Sequence, residues 1–429
     1  MNSPRPRNAM KSLGYRSTIA ACYVGNVVQA AVVNLTPLVF IPLRTLYGLS
    51  YAQFGTLVLI NFVTQVVVDL AFSKAADRYG FRPFAVMAHV LCVLGLLLFA
   101  AAPLLFGRHV YVGLVLGTVV FAGSGGLLEL LLSPIVDAIP TDSGDRTMSL
   151  LHSFYAWGAV LVVVITTSLL ALLGIQRWPV AVIFWALPAL FNVWLFARVP
   201  LTQKVEHTKA MKVRALFKTP AFVLLLLAII CGGAAEVTMS GWASSFMEKG
   251  LHLPKFTGDM LGMCGFAVML GLGRMGYGLL SHKLDISRWM CIGATAAVVC
   301  YVATALSPFT ALSVAACCLT GLVVSMLWPG ALLMASRRLP LAGASMFALL
   351  SAGGDTGASL GPWLTGMITD VAEAALPADW AARLGMTTEQ LALRAGLLVS
   401  TVSPLLCLII LLILLRHEQQ TGQPENAPQ

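Results

Sequence analysis

Charged residues are scarce in this chain of 429 residues: Asp, Glu, Lys and Arg make up 10% of it, against about 25% in ordinary globular domains. Hydrophobic residues, by contrast, make up 58% of the chain. So little charge beside so much apolar sequence argues against a soluble domain. It favours a protein whose outer surface is covered by lipid.

Several signatures of enzymes and metal proteins are also missing. The sequence has no Gly-rich phosphate loop, no cluster of His and Cys, and no spacing typical of a catalytic triad. Its nine cysteines all fall in apolar stretches without metal or disulfide spacing, so we interpret them as small hydrophobic residues. The sequence therefore predicts neither an enzyme nor a bound cofactor or metal.

What the chain does contain is a series of apolar stretches, each close to or above the roughly 20 residues that a helix needs to cross a bilayer. We name them segments 1 to 12, and in order they are 17–43, 51–72, 84–104, 110–138, 151–174, 178–198, 220–247, 256–280, 288–306, 310–335, 342–369 and 392–415. The alternating pattern of a β-barrel is absent, so helices remain as the way to satisfy backbone groups in lipid. The sequence predicts an all-α membrane protein with twelve transmembrane helices.

The formal net charge of +9 has an explanation other than nucleic acid. With the N-terminus placed in the cytoplasm, 19 of the 27 Lys and Arg residues fall on the cytoplasmic side and seven on the outer side. This is the bias of the positive-inside rule, and it predicts that both termini are cytoplasmic. The first 16 residues are basic and lack a signal-peptide cleavage site, so we expect segment 1 to remain as a helix.

A basic linker, from Arg198 to Lys218, divides the segments into two groups of six. The predicted organisation is a tail 1–16, a first half 17–198, a central loop 199–219, a second half 220–415 and a tail 416–429. The halves share a weak motif of a charged residue followed, eight positions later, by a charged pair. It reads Asp69 and Asp77-Arg78 after segment 2, and Arg274 and His282-Lys283 after segment 8. Paired halves are a common plan of transporters.

The loop after segment 2 reads Asp77-Arg78-Tyr79-Gly80-Phe81-Arg82. Together with the twelve segments and the basic central loop, it resembles the major facilitator superfamily over essentially the whole chain. Asp77, Arg78, Gly80 and Arg82 match the signature of that family, whereas Ser73 and Phe81 depart from it. The resemblance implies a transporter that works by alternating access, with Asp77 and Arg78 holding the cytoplasmic gate shut.

Within that superfamily, three stretches are similar to the sugar:proton symporters of the fucose-permease type. They are 125–134 in segment 4, 152–158 in segment 5 and 233–242 in segment 7. The resemblance implies that Glu129 is a proton and substrate site. The sugar permeases place an acid in segment 1, but here that segment offers only the polar residues Asn26, Gln29 and Asn34.

Three acids lie well inside apolar segments, where an unpaired charge is costly. We interpret Glu129 as the protonation site, because burial moves the pKa of a carboxyl group toward working pH, or else as an acid tied to a buried polar partner. Glu236 lies on one helix face with Ser240 and near Trp242, which suggests either a sugar-like binding site or a contact between segments 7 and 11. Asp355 sits among glycines, as part of the site or of a helix hinge.

A polar stripe also follows segment 2, where Asn61, Gln65, Asp69 and Ser73 recur every four residues. It should face a partner helix or a watery path, and we interpret Asp69 as a gate residue. Arg274 would be its counterpart in segment 8 and needs an acid, for which Asp137 is one candidate.

Further candidates for the site are His152, Trp157 and Trp328. His152 is interpreted as a hydrogen-bonding group, with a proton relay as the alternative. The two tryptophans line the cavity or serve only in packing.

The sequence thus predicts a secondary transporter that moves a small polar solute in symport with protons. The alternative is a proton-coupled exporter of drugs or metabolites, whose Gly-Pro signature in segment 5 is lacking, since residues 152–174 contain no proline. We expect a small-molecule substrate and protons as partners, a monomer in the lipid bilayer, no nucleic acid, and a bacterial cytoplasmic (inner) membrane as the location.

Overall fold

The computed structural model describes residues 14–139, 144–201, 213–280, 283–339 and 344–421, and every regular element in these ranges is a helix. In the first half, segments 1 to 5 are each one uninterrupted helix. They are Tyr15–Tyr47, Tyr51–Tyr79, Phe81–Phe106, Val110–Asp137 and Gly144–Leu173 for segments 1 to 5. Except in segment 4, these helices extend beyond the apolar stretches at one or both ends, because helix geometry continues into the polar residues that flank the lipid.

Among the remaining segments, 6, 7, 8, 10 and 12 are interrupted helices, whereas 9 and 11 are continuous. Segment 6 consists of Trp178–Phe184 and Ala186–Phe196; segment 7 is Pro220–Ser245 with a π-helical turn at Phe246–Gly250; segment 8 is Lys255–Asp259, a π-helical turn Met260–Cys264 and Gly265–Leu280. Segment 9 is Ile286–Leu306, segment 10 is Thr310–Val324 and Leu327–Arg338, segment 11 is Ala344–Ala375, and segment 12 is Thr388–Ser400 and Val402–Thr421. Short helices at Gly107–His109, Ile175–Arg177, Val213–Leu216 and Ala378–Arg383 lie between them.

Local chemistry explains where segment 2 begins and ends. The Ser50 side chain accepts a hydrogen bond from the amide of Gln53, whose side chain accepts one from the Ser50 amide, so the two residues form a capping box. At the other end, Gly80 has a φ of 87°, which a residue with a side chain rarely adopts. This glycine lets segment 3 begin immediately after segment 2.

By length and hydropathy, ten stretches of the described residues qualify as membrane spans. One of these, Phe81–Asp137, holds both segment 3 and segment 4. Segment 11 is a helix of 32 residues that falls outside the ten, because its many Gly, Ser and Thr residues make it less apolar. The predicted all-α membrane fold is confirmed, and these helices are consistent with the predicted twelve segments.

The packing of the segments repeats along the chain. Segments 1 and 5, 2 and 4, 3 and 4, and 3 and 6 are in contact, and so are 7 and 11, 8 and 10, 9 and 10, and 9 and 12. The second set is the first set shifted by six segments, as two copies of one six-helix unit would give. The domain bounds stay a prediction, and residues 1–13, 202–212 and 422–429 of the tails and central loop lie outside the described ranges.

The two groups of six meet mainly along segments 2 and 11, with further contacts between 5 and 8 and between 1 and 7. The backbone at Gly55 in segment 2 lies against Pro362 and Trp363, and Gly366 in segment 11 lies against Tyr51. The same rotational symmetry that exchanges the halves would exchange the pair 2 and 11 with the pair 8 and 5. Any site between the halves must lie along these seams.

Candidate functional site

A small cavity lies between the two halves. Segments 1 and 5 contribute the polar residues Asn34 and Tyr155, and segment 7 contributes Glu236 and Ser240. The remaining lining is apolar, from Val33, Ala156, Ala159, Val163, Val237, Met263, Phe266, Ala267 and Leu270. A mostly apolar wall with a few polar groups is the usual composition of a site for a small molecule.

The acid of this cavity is paired. Arg274 donates from one terminal nitrogen to both carboxylate oxygens of Glu236, at 2.9 and 3.2 Å, and from Nε to the carbonyl of Ser325 at 3.3 Å. The prediction of Asp137 as the partner of Arg274 was therefore wrong. Glu236 links segment 7 to segment 8, rather than to segment 11 as its structural interpretation had it.

A second group of acids joins the halves. Asp69 of segment 2, Glu129 of segment 4 and Asp355 of segment 11 each place a carboxylate oxygen within 4.8 Å of the other two. Asp355 is 2% exposed, and its Oδ2 and the Oδ1 of Asp69 are buried without a hydrogen-bond partner, while Glu129 is exposed. From the sequence, Asp69 was interpreted as a gate residue, Glu129 as the proton site, and Asp355 as part of the site or of a helix hinge. The structure brings all three together.

Close helix packing explains how these acids meet. The Cα positions of Gly126 in segment 4 and Gln65 in segment 2 lie so near that a Cβ on Gly126 would sit 3.0 Å from the Cα of Gln65. Segment 11 approaches segment 2 in the same way, because a Cβ on Gly366 would collide with the carbonyl oxygen of Tyr51. Glycine in these rows lets segments 2, 4 and 11 approach closely enough to share one cluster of side chains.

The polar stripe of segment 2 faces segment 1 for part of its length. Asn61 donates to the carbonyl of Val32 at 2.8 Å, and Gln65 both donates to Asn61 at 2.8 Å and accepts from Gln29 at 3.1 Å. Asn26, in turn, donates to the carbonyl of Leu151 at 2.7 Å. Of the three polar candidates in segment 1, Asn26 and Gln29 therefore tie helices together, and Asn34 lines the cavity.

Segment 1 connects to segment 2, and segment 11 to segment 12, at one end of the bundle. The sequence predicts that this end is extracellular, and we name it the outer end. Here Arg44 of segment 1 pairs with Glu373 at 3.2 Å and with Glu389 at 3.4 Å, and its guanidinium lies 4.1 Å from the ring centre of Tyr51. The Tyr51 hydroxyl donates to Glu389 at 2.9 Å. This cluster joins the halves, and sequence reasoning missed it because 329 positions separate Arg44 from Glu373.

Two more contacts across the halves lie at the outer end. The carboxylate of Asp370 accepts hydrogen bonds from the backbone amides of Tyr51 and Ala52, at 2.9 and 2.8 Å. In the other seam, Thr167 of segment 5 donates at 2.7 Å to Asp259 of segment 8, which is also 2.7 Å from the Lys255 ammonium. The described contacts therefore hold the outer end closed in this structure.

The predicted aromatic positions need correction. Trp242 is 1% exposed, packs on Tyr51 and Phe54 with ring centres 5.5 and 5.1 Å away, and donates to the carbonyl of Pro362 at 3.2 Å. It therefore seals the seam at the outer end and is absent from the lining of the cavity around Glu236. Trp328 packs against the backbone of segment 11, and Trp157 is 45% exposed, so neither lines that cavity.

In the loop after segment 2, Arg82 has a role that its match to the family signature did not reveal. Its guanidinium donates to the carbonyls of residues 196, 197 and 199 at 3.1, 2.7 and 2.8 Å, where the helix of segment 6 ends. Arg78 lies over the ring of Tyr79 at 5.3 Å. The side chains of Ser73, Asp77 and His152, and all of His282, lie outside the described part of the chain.

Comparison with known proteins agrees with this geometry. The family model described as Major Facilitator Superfamily matches residues 22–362. None of the curated proteins matches the chain.

Solved structures of transporters share the fold. A bacterial homologue of the human lysosomal transporter Spinster, in an inward-facing and occupied conformation, has a TM-score of 0.74 at 15% identity, covering 94% of this chain and 97% of that one. A D-xylose-proton symporter has a TM-score of 0.74 at 14% identity, with 90% and 96% covered. The nucleoside transporter NupG has 0.68 at 14% identity, with 92% and 99% covered. At these identities the likeness concerns the fold.

Proposed function

Because this chain belongs to the major facilitator superfamily, we propose that it moves a small polar solute, such as a sugar or related metabolite, in symport with protons. It is a multi-pass integral membrane protein and a secondary transporter, not an enzyme. The bacterial cytoplasmic membrane as its location and the monomer as its working form belong to the same proposal.

The cavity between the halves is the observation that carries this proposal. Asn34 and Tyr155 reach it from the first half, and Glu236 and Ser240 from the second. A solute bound there touches both halves, so it can accompany them as they rock between inward-open and outward-open forms. Contacts at the outer end close one exit, and we propose Asp77 and Arg78 as part of the gate at the other.

The polar groups of the cavity fit a neutral, hydroxyl-rich solute. An amide, a phenol, a hydroxyl and a carboxylate supply both hydrogen-bond donors and acceptors. The negative charge of Glu236 is balanced by Arg274, so the cavity does not demand a cationic solute. Two of the structural neighbours are described as a xylose symporter and a nucleoside transporter, whose cargoes are of this kind.

For the coupling step we propose that Glu129 takes up and releases the proton. Glu129 is exposed, although two other acids place an oxygen within 4.8 Å of its carboxylate, and a proton on Glu129 reduces the repulsion among them. Neutral Glu129 would permit the loaded protein to reorient, whereas the charged form would resist it.

The test begins with a thermal-stabilisation screen of the purified protein against sugars, nucleosides, organic acids and drugs. With the ligand found, Glu129→Gln in liposomes should lose accumulation driven by a pH gradient and retain counterflow exchange. The control is Asp379→Asn, which changes an exposed acid of a short helix between segments 11 and 12. Wild-type accumulation by Glu129→Gln would rule out its role, and substrate that leaves against entering protons would identify an exporter.

A further inference from the structure

The acids between the halves form a compact set of oxygen ligands. Three points that are all within 4.8 Å of one another always have a common position within about 2.8 Å of each of them. Oxygen ligands hold hard metal cations at distances of this order, about 2.3–2.6 Å for Ca²⁺. The geometry of Asp69, Glu129 and Asp355 thus leaves a position where one cation would contact all three carboxylates.

A positive partner would lower the electrostatic energy of this cluster. None of the three acids forms an ion pair with a Lys or Arg among the described residues, and Arg274 is engaged with Glu236. Carboxylates at this separation repel one another strongly wherever water is scarce. A cation placed between them removes that repulsion.

Asp355 gives independent support, because a bound cation can satisfy a buried carboxylate oxygen that has no hydrogen-bond partner. Its side chain belongs to the opposite half from Asp69 and Glu129, is 2% exposed, and keeps Oδ2 without a hydrogen bond. A buried carboxylate oxygen without a hydrogen bond costs free energy. The Oδ1 of Asp69, on the facing helix, is likewise buried without a hydrogen-bond partner. An ion held by one oxygen of each carboxylate would give these two side chains a partner.

We infer that Asp69, Glu129 and Asp355 form a binding site for a monovalent metal cation, with Na⁺ as the ion to test. Ca²⁺ normally takes six to eight oxygen ligands and Mg²⁺ demands near-ideal octahedral geometry. A site assembled from two halves that separate during transport suits a weakly held ion better than a rigid cage.

Such a site would also couple the ion to the movement of the halves. Two ligands belong to the first half and one to the second, so the full set exists only when segments 2, 4 and 11 are close. An ion that binds one arrangement more tightly shifts the population toward it. The inference rests on the proposed transport function, which it deepens by giving the proton site a second occupant.

The experiment measures thermal unfolding of the purified full-length protein at fixed pH and ionic strength, with choline chloride replaced stepwise by NaCl. We expect a saturable rise of the melting temperature of about 2–4 °C as Na⁺ replaces choline. Glu129→Gln and Asp355→Asn should lose this rise, and Asp379→Asn should keep it. Since Glu129 is exposed, its variant remains informative even if Asp355→Asn does not fold.

The absence of a Na⁺-specific rise in the wild type overturns the inference, and so does a rise that Glu129→Gln retains in full. Accumulation driven by a pH gradient in sodium-free liposomes tests the proposed function separately. Accumulation without any Na⁺ shift leaves proton symport standing and removes the metal site. A Na⁺ shift without proton-driven accumulation supports the metal site and removes the proton coupling.

Discussion

The carboxylate of Asp370, near the end of segment 11, caps the first turn of segment 2 by accepting the backbone amide of Tyr51 at 2.9 Å. Its second oxygen accepts the amide of Ala52 at 2.8 Å. The first amides of a helix have no partner within the helix and favour a negative charge nearby. A helix of one half is thus capped by a side chain of the other, so the cap must break when the outer end opens.

Loss of this cap should loosen the outer end. We expect Asp370→Ala to cost about 1–2 kcal/mol locally and to raise hydrogen exchange at the amides of Tyr51 and Ala52 about 5- to 30-fold. Asp370→Asn, which keeps an oxygen acceptor, should lie between this variant and the wild type. Exchange measured by mass spectrometry on peptides covering these residues gives the result, and unchanged exchange in Asp370→Ala would contradict the cap.

The pair formed by Glu236 and Arg274 should show strong coupling in stability. Glu236→Gln leaves a guanidinium that is mostly buried without its counter-charge, which should cost about 3 kcal/mol. The double change to Gln at both positions removes both charges and should be less destabilising than Glu236→Gln alone. Melting temperatures of the two single variants and the double variant complete the cycle, and strictly additive effects would argue against the pair.

The close approach of segments 7 and 11 should make Gly357 intolerant of a side chain. A Cβ there would collide with the carbonyl oxygen of Ile230, so Gly357→Ala should lower stability by about 1–3 kcal/mol through overpacking. Gly241→Ala is the matched control in segment 7, since no atom lies within 4 Å of its added Cβ. The control should melt at or above the wild-type temperature, and equal losses in the two variants would contradict the packing argument.

Arg82 should act through the geometry of its guanidinium and not only through its charge. Lysine at this position cannot reach three carbonyls at once, so Arg82→Lys should cost about 1 kcal/mol and lower the melting temperature. Arg108→Lys, at an exposed turn after segment 3, is the control for the exchange of one basic residue for another. A melting temperature equal to that of the control would show that the three contacts add nothing.

Several parts of this molecule were accessible from the sequence because their physics is local. Helices that cross a bilayer need long apolar runs, so the composition alone predicts an all-α membrane fold. Glu236 was found as a cavity residue because an acid in an apolar helix is costly unless it has a role. Its partner Arg274 was noticed as well, but Asp137 was named as the candidate acid, since nothing in the spacing indicates which acid lies opposite.

Other parts depend on contacts between distant residues. Trp242 follows Glu236 by six positions, yet its ring points into the seam at the outer end, because helix packing and not proximity in sequence decides its neighbours. The cluster around Arg44 and the cap from Asp370 gave no signal in the chain. Both depend on how segments 1, 2 and 11 meet.

The sequence by itself determined that this protein is a helical membrane transporter of the major facilitator type, because hydropathy and a short turn motif are properties of consecutive residues. Only the tertiary structure decided that Asp69, Glu129 and Asp355 lie together in one cluster. These acids come from three helices and both halves of the chain, and whether they meet depends on how closely glycine lets those helices pack. The interaction energy of two charges falls as their distance in space grows, and the number of positions between them along the chain does not give that distance.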